Sequence, residues 1–139
     1  MDWKSWQASW DAQQEIFMPD REQRLAALLD TVQAVSGPAP RVLDLAGGTG
    51  SITIRLLDRF PQATSVILDV DAALLEIARA TFADDSRVEI VRADLGTPGW
   101  PASVSAGSFD AVVTATALHW LPDERRAELY AEIREVMRP

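Results

Sequence analysis

The sequence predicts an α/β protein in which helices cover both faces of a parallel β-sheet. Four short apolar runs, mostly β-branched and bounded by turn residues, alternate with helical patterns. The first run leads through a carboxylate, Asp44, into the glycine-rich turn 46–50, which opens a helix. Strands that alternate with helices form parallel sheets with right-handed crossovers, so these observations favour a sheet between two helical layers.

The first 36 residues predict a helical arm ahead of the sheet. An aromatic stripe at helical spacing is followed, after Pro19 and Asp20, by an aliphatic face: Trp3, Trp6, Trp10, Gln13 and Phe17, then Leu25, Leu28, Leu29 and Val32. A membrane-surface helix has a similar stripe, but the polar face here carries acids (Asp2, Asp11, Glu15) against only Lys4, which disfavours anionic lipid. We expect the arm to pack on the sheet or over a ligand pocket.

Residues 37–139 predict the core that contains the sheet. Strands are expected at 41–45, 65–68, 88–91 and 110–114, and helices at 51–60, 72–82 and 123–137. In the last helix, Ile133, Val136 and Met137 share the apolar face.

Composition narrows the classes of partner. The chain has 139 residues, a net charge of −8, no cysteine and one histidine. This length suits one domain, and the absence of a basic cluster disfavours nucleic acid. Without cysteines, and with a single histidine, neither a disulfide framework nor a metal site is expected. No leader or membrane span is indicated, so we expect a cytoplasmic protein with no membrane partner.

The turn Ala46-Gly47-Gly48-Thr49-Gly50 predicts a pocket for a nucleoside-containing ligand. Glycines let backbone N–H groups approach a ligand closely, and the next helix presents unpaired donors. The dinucleotide fingerprint read from Gly48 would need a glycine where Thr53 stands, and no Lys-Ser or Lys-Thr pair follows to make a P-loop. An ordinary turn of small residues is the alternative.

The pattern Asp44-x-Ala46-x-Gly48-x-Gly50 resembles motif I of the class I S-adenosylmethionine-dependent methyltransferases, written D/E-x-G-x-G-x-G. The resemblance implies a Rossmann-like three-layer sandwich with strand order 3-2-1-4 in the part present, and S-adenosylmethionine as cofactor, with S-adenosylhomocysteine as product. It also implies cofactor contacts from Asp44, Ala46, Gly47, Gly48 and Gly50. Ala46 departs from the pattern. Because alanine replaces glycine readily only where φ is negative, we expect Ala46 still to have strand-like backbone.

Two further carboxylates follow the second and third predicted strands. Asp69 lies about twenty residues beyond the glycine turn, where an acid can accept hydrogen bonds from both ribose hydroxyls, as the resemblance also implies. Its neighbour Val70 is assigned to the same site, whereas Asp71 is expected to cap the next helix. The resemblance places Asp94 at the adenine amino group, with Leu95 enclosing the ring. A simple turn at Asp94 is the alternative.

Other candidate site residues lie on the arm and after the fourth strand. Arg21 and Arg24 could bind the cofactor's carboxylate or the acceptor, or they could form a solvated face with Glu22. The segment Phe109–Leu121 resembles the post-strand segment of small-molecule methyltransferases, in which Thr114 and the small residues after it lie along the methionine end of the cofactor. His119 then falls near the reacting methyl, either as a proton acceptor or as a residue that only lines the pocket.

The chain ends at Met137-Arg138-Pro139, where the resembled family continues with Gly-Gly into a fifth strand of a seven-stranded sheet. The resemblance therefore predicts a truncated sheet whose fourth strand is an unpaired edge, and self-association through that edge or through the helices.

The resulting functional hypothesis is a methyltransferase that acts on a small-molecule acceptor. The alternatives are a non-catalytic module that binds S-adenosylmethionine or S-adenosylhomocysteine, a fragment that needs a partner chain, and, less favoured because of Thr53, a nicotinamide dehydrogenase. The sequence does not identify the acceptor.

Overall fold

A computed structural model describes all residues, 1–139. The strands are β1 (Arg41–Leu45), β2 (Thr64–Asp69), β3 (Val88–Arg92) and β4 (Ala111–Val113), and the helices are α1 (Trp3–Phe17), α2 (Arg21–Ser36), α3 (Ser51–Arg59), α4 (Ala72–Thr81) and α5 (Asp123–Val136), with 3₁₀ turns at Trp100–Ser103 and Leu118–Trp120. The four strands form one parallel sheet in the order β3-β2-β1-β4. The predicted α/β class and strand order are therefore confirmed.

Side chains of β1 alternate between two cores. Val42 packs with residues of α2 and α3 on one face of the sheet. Leu43 and Leu45 point to the other face, where they pack with Trp100 and with Leu129 of α5. Both faces of the strand are buried because successive side chains point to opposite sides of a sheet that helices cover twice. This arrangement forms the three layers expected from the sequence.

Local sequence signals predicted the start of α4 correctly. The carboxylate of Asp71 accepts hydrogen bonds from the backbone N–H groups of Ala73 (2.9 Å) and Leu74 (3.2 Å), which confirms it as the cap of α4. The last helix, in contrast, ends one residue earlier than predicted, so Met137 lies outside it.

The arm lies against the core, but its contact face differs from the predicted aromatic stripe. α1 packs on α4, and its buried residue is Gln7, whose amide nitrogen donates to Ser51 Oγ on α3 (3.4 Å). Trp6 and Phe17 are exposed, with 51% and 71% of their surface accessible. The contact face of α1 therefore keeps Trp10 from the stripe but is rotated toward Gln7 and away from Trp6 and Phe17.

The outer edge of β4 is not wholly unpaired, which corrects the expectation from sequence. Phe109, just before β4, forms a parallel bridge with Met137. The N–H of Phe109 donates to the carbonyl of Val136 (3.3 Å), and the N–H of Arg138 donates to the carbonyl of Phe109 (2.9 Å). The chain therefore runs beside this edge after α5 ends, whereas no strand pairs with the outer side of Ala111–Val113. β4 is also shorter than the predicted 110–114.

None of the helices combines the length and the apolar composition that crossing a bilayer would require.

Candidate functional site

A cavity of about 900 Å³ lies at the carboxyl ends of the parallel strands. Its walls come from five parts of the chain: the arm, the turn after β1, and the segments that follow β2, β3 and β4. Open α/β sheets bind ligands at this edge, and the volume falls within the usual range for small-molecule pockets.

The glycine turn approaches the cavity through residues in left-handed backbone. Gly48 has φ +56°, and a Cβ built on it would contact Leu74 and Asp69, which both line the cavity. Ala46 also has a positive φ, +53°, so the expectation that it keeps strand-like backbone was wrong. The strand ends at Leu45 and the turn has already begun at Ala46. At Gly47 a Cβ would lie 2.7 Å from the Asp44 carboxyl carbon, so no larger residue fits there without a shift.

Asp69, at the end of β2, is fixed by the glycine turn. One carboxylate oxygen accepts from the N–H of Gly48 (2.9 Å) and the other from the N–H of Asp71 (2.9 Å). Each oxygen keeps lone-pair capacity, because an ionised carboxylate offers about four acceptor sites. Asp69 and its exposed neighbour Val70 both line the cavity.

Asp44 lies beneath the turn instead of in the cavity wall. Its Oδ2 accepts from the Thr53 hydroxyl (2.8 Å), which is itself 2.8 Å from Ser65 Oγ, while Oδ1 is buried without a partner. Burial raises the pKa of Asp44 to about 7, although the Thr53 hydrogen bonds oppose the shift. Thr53, which stands where a dinucleotide motif would have its third glycine, thus donates its hydroxyl hydrogen bond to Asp44.

Two other predicted contacts are also absent from the cavity lining. Gly50 faces the core, where a Cβ would meet Phe82 at 2.6 Å and Ile67 at 2.9 Å. Thr114 likewise does not line the cavity, and its hydroxyl is buried without a hydrogen-bond partner. The close packing at Gly50 and its φ of +87° explain the need for glycine at this position.

In the loop that follows β3, Asp94 forms the turn given as the alternative, while its contact with adenine stays a prediction. The Asp94 carboxylate accepts from the N–H of Gly96 (2.7 Å), which forms a turn, and the residue also lines the cavity. Leu95 is buried beside it and lines the cavity as well.

The segment after β4 also lines the cavity. His119 is exposed and lines the cavity, and its ring centroid lies 5.0 Å from that of Trp120. Thr116, also in the wall, has φ +56°. This backbone is unfavourable for a β-branched residue, and such strain concentrates at functional sites.

The two arginines of the arm differ in their environments. Arg21 lines the cavity but is buried, and it pairs with Asp11 of α1 (2.9 Å), so the predicted solvated pairing with Glu22 was wrong for this residue. Glu22 pairs with Arg55 of α3 instead. Arg24 lines the cavity, is exposed and has no ion pair within the chain.

Sequence reasoning missed several residues of the cavity wall, three of them on the arm. They have large or amphipathic side chains and include Trp10, Gln14, Met18, Leu74 and Trp120. The helical stripe identified Trp10 as an interior candidate, but nothing local indicated which side of the sheet the arm would cover.

The site fits S-adenosylmethionine on three structural grounds. The cavity has sufficient volume, the turn at Gly48 brings backbone to its surface, and carboxylates at the ends of β2 and β3 face it. These acids suit a ligand that carries ribose hydroxyls and cationic groups. A parallel sheet of order 3-2-1-4 with this turn and these acids defines the class I methyltransferase domain, whose methyl donor is S-adenosylmethionine.

Comparison with known proteins gives the family. Residues 42–139 match the family described as a methyltransferase domain, and the chain belongs to it. It is 40% identical over 102 residues to a trans-aconitate 2-methyltransferase of Deinococcus radiodurans, a match that covers 73% of this chain and 35% of the relative. It is 30% identical over 117 residues to a malonyl-[acyl-carrier protein] O-methyltransferase of Halalkalibacterium halodurans, covering 84% and 42%. The chain spans about a third to a half of the length of these curated relatives.

Solved structures share the fold. S-adenosylmethionine-bound CalS10, an amino pentose methyltransferase from Micromonospora echinaspora, matches with a TM-score of 0.75 and 23% identity over 94% of this chain and 52% of its own. DesVI of Streptomyces venezuelae matches with a TM-score of 0.72 and 20% identity over 94% and 52%.

Proposed function

We propose that this chain is the cofactor-binding part of an enzyme that transfers a methyl group from S-adenosylmethionine to a small molecule. The observation that carries the proposal is the pairing of the Gly48 N–H with Asp69 Oδ2 at the cavity wall (2.9 Å). This bond joins the two elements that bind a nucleoside in the proposal: a turn whose backbone can approach the ligand closely, and a carboxylate that can accept hydrogen bonds from the ribose hydroxyls.

In this proposal the residues of the first three strand ends hold the nucleoside. Asp69 accepts from the ribose hydroxyls with the lone pairs left free by its two backbone donors. Asp94 accepts from the adenine amino group, and Val70 and Leu95 enclose the ring. The backbone at Gly47 and Gly48 contacts the rest of the cofactor. Asp44 supports the turn from below.

The exposed guanidinium of Arg24 is the better candidate for the cofactor's carboxylate or for an acidic group on the acceptor, because Asp11 already engages Arg21. Because its guanidinium has no ion pair within the chain, Arg24 can bind a carboxylate through two parallel hydrogen bonds.

The cofactor supplies an electrophilic methyl group on a sulfonium. The protein's contribution is to hold the acceptor in line with that methyl and to exclude water, and Trp10 and Trp120, which both line the cavity, assist in this. His119 is placed to accept a proton from an acceptor hydroxyl, amine or carbon acid, and its exposed imidazole is not committed to another partner. The alternative is that His119 only lines the cavity and accepts no proton.

Binding without turnover is the alternative function. It is favoured by one observation: the chain spans less than half of the relatives it matches, so residues that complete an acceptor site in them need not be present here. The absence of nucleic-acid partners is part of the proposal, supported by the acidic composition. A cytoplasmic location is also part of the proposal.

Titration calorimetry tests the proposed site. We expect the chain to bind S-adenosylmethionine and S-adenosylhomocysteine but not NAD. Asp69→Ala should cost about 1.5–3 kcal/mol of S-adenosylhomocysteine binding, the range for hydrogen bonds to a charged group. Asp58→Ala, an exposed acid on α3 outside the cavity, is the matched control. Unchanged affinity in a folded Asp69→Ala variant removes Asp69 from the site.

Turnover against a panel of small carboxylic acids, amines and phenols then separates an enzyme from a binding module. If His119 is the base, His119→Gln should lower kcat while leaving the affinity for S-adenosylhomocysteine unchanged.

A further inference from the structure

Arg125 is a buried charged residue that the proposed mechanism does not use. It lies in the first turn of α5, with 9% of its side chain exposed. All five N–H groups of its guanidinium have acceptors. Nε donates to the carbonyl of Leu95 (2.9 Å), and one Nη donates to the carbonyl of Thr97 (3.2 Å), while the remaining donors bind the carboxylates of Glu128 and Glu132.

The carboxylate of Glu132 binds the Arg125 guanidinium through both of its oxygens. It accepts from Arg125 at 2.6 and 3.1 Å, and it also accepts from the indole nitrogen of Trp100 (2.6 Å), a side chain only 2% exposed. The cluster of Arg125, Glu132 and Trp100 is therefore rigid and fully hydrogen-bonded, which is the condition under which a buried polar network specifies one geometry.

The two carbonyls that Arg125 binds belong to the loop that carries Asp94. This part of the loop has no helix or strand, and its local restraints are short turn bonds: the Gly96 N–H donates to the Asp94 carboxylate, and the N–H (3.2 Å) and hydroxyl (3.0 Å) of Thr97 donate to the Asp94 carbonyl. The Leu95 and Thr97 carbonyls flank that turn on the side of α5. A planar fork that binds both carbonyls fixes the loop against α5.

We propose that Arg125 is a positioning residue that sets the cavity-facing orientation of Asp94 and thereby the selectivity of the site for an adenine base. The inference rests on the proposed function, because it assigns Asp94 to the adenine amino group. Arg125 touches no ligand in this scheme and acts through the loop. It also joins the β3 loop to the start of α5, directly after the cavity segment that holds His119.

The experiment compares two ligands by titration calorimetry: S-adenosylhomocysteine and S-inosylhomocysteine, in which a carbonyl oxygen replaces the adenine amino group. Wild-type protein should prefer the adenine ligand by at least about tenfold, since the second ligand presents a carbonyl oxygen to Asp94 at the position of the amino donor, and its remaining N1–H lies at a different place on the ring. Arg125→Lys keeps the charge beside Glu132 but cannot bind both carbonyls, and the preference should fall by about tenfold. Arg126→Lys, at the neighbouring half-buried position, should leave it unchanged.

A double-mutant cycle separates positioning from general stability. Asp94→Asn alone should abolish the preference, and adding Arg125→Lys should lower it no further, because both changes act on one contact. Glu132→Gln, which loosens the guanidinium without removing it, should reduce the preference less than Arg125→Lys, and it carries the test if Arg125→Lys does not fold.

Equal losses for both ligands, or an unchanged preference in Arg125→Lys and Glu132→Gln, overturn the inference while the proposed function stands. Wild-type protein that binds neither ligand overturns the proposed function and the inference together. Wild-type protein that binds both ligands equally overturns the assignment of Asp94, and with it the inference.

Discussion

The carboxylate of Asp11 on α1 accepts a 2.7 Å hydrogen bond from Ser51 Oγ at the first residue of α3. The same oxygen pairs with Arg21 of α2 at 2.9 Å, so one side chain joins the arm to the helix that follows the glycine turn. Burial alone would raise the pKa of Asp11, but the hydrogen bonds from Ser51 and Arg21 hold it below its ordinary value. Asp11 therefore orders the arm over the cavity.

Asp11→Asn should lower the free energy of unfolding by about 1–3 kcal/mol, because it leaves the buried Arg21 without its carboxylate. Since the folded pKa is depressed, this stabilisation is present above about pH 4 and is lost as the pH falls through the folded value. Urea denaturation between pH 3 and pH 7 measures the difference. Asp30→Asn, which removes the exposed pair with Arg59, should cost less than about 1 kcal/mol. Equal effects of the two substitutions would contradict this assignment.

Asp44 has the opposite dependence on pH. Its folded pKa of about 7 lies above the ordinary 3.8, so the folded state keeps a proton that the unfolded state has lost. Stability should therefore fall as the pH rises from about 4 to 7, by up to about 4 kcal/mol for a shift of this size. Asp44→Asn, which cannot ionise, should remove that fall in thermal or urea unfolding of the ligand-free protein. A wild-type curve that rises over this interval, with no change in the variant, would show that Asp44 is ionised when folded.

Ala46 stores backbone strain that a glycine would relieve. At φ +53° an alanine pays about 1–2 kcal/mol, part of which glycine's greater freedom in the unfolded chain offsets. We expect Ala46→Gly to stabilise the protein by about 1 kcal/mol in urea denaturation. Ala27→Gly, at an exposed position inside α2, should destabilise it by a similar amount. A loss of stability in Ala46→Gly would mean that the methyl group of Ala46 contributes more than its backbone costs.

Local patterns predicted the parts of the structure that depend on neighbouring residues. The alternation of strands and helices predicted the parallel sheet, and the position of Asp71 before a run of helix-forming residues predicted the N-cap of α4. The positive φ of Ala46 was not predictable, because it depends on where β1 stops pairing with β2. Likewise, Asp11, which pairs with Arg21, lies 10 residues away on another helix, and the Leu95 carbonyl that Arg125 binds lies 30 residues away, so only the packed fold brings these pairs together.

Valine substitutions at Gly48 and Gly107 distinguish the effect of backbone strain from that of blocking the cavity. Gly48→Val places branched carbons toward Leu74 and Asp69 at the cavity wall, and we expect it to abolish S-adenosylhomocysteine binding. Gly107→Val introduces similar strain at φ +72° with no atom within 4 Å of the added Cβ, so it should lower stability but not affinity. Calorimetry together with circular dichroism distinguishes the two effects. Native affinity in a folded Gly48→Val protein would make the turn only structural.

Self-association should follow from the outer side of β4. By strand alternation, the Ala111 and Val113 N–H groups point away from β1, since the Asp110 N–H donates to Arg41 of β1. Beyond the bridge at Phe109 no strand accepts these donors, and such an edge is a template for another chain. We expect dimers or larger species in sedimentation at micromolar concentration. Ala111→Pro removes one outward donor without breaking the β1 ladder and should shift the protein toward monomer. If Phe17→Glu on the exposed face of α1 does so instead, association runs through the arm, and a monodisperse wild-type monomer would contradict both routes.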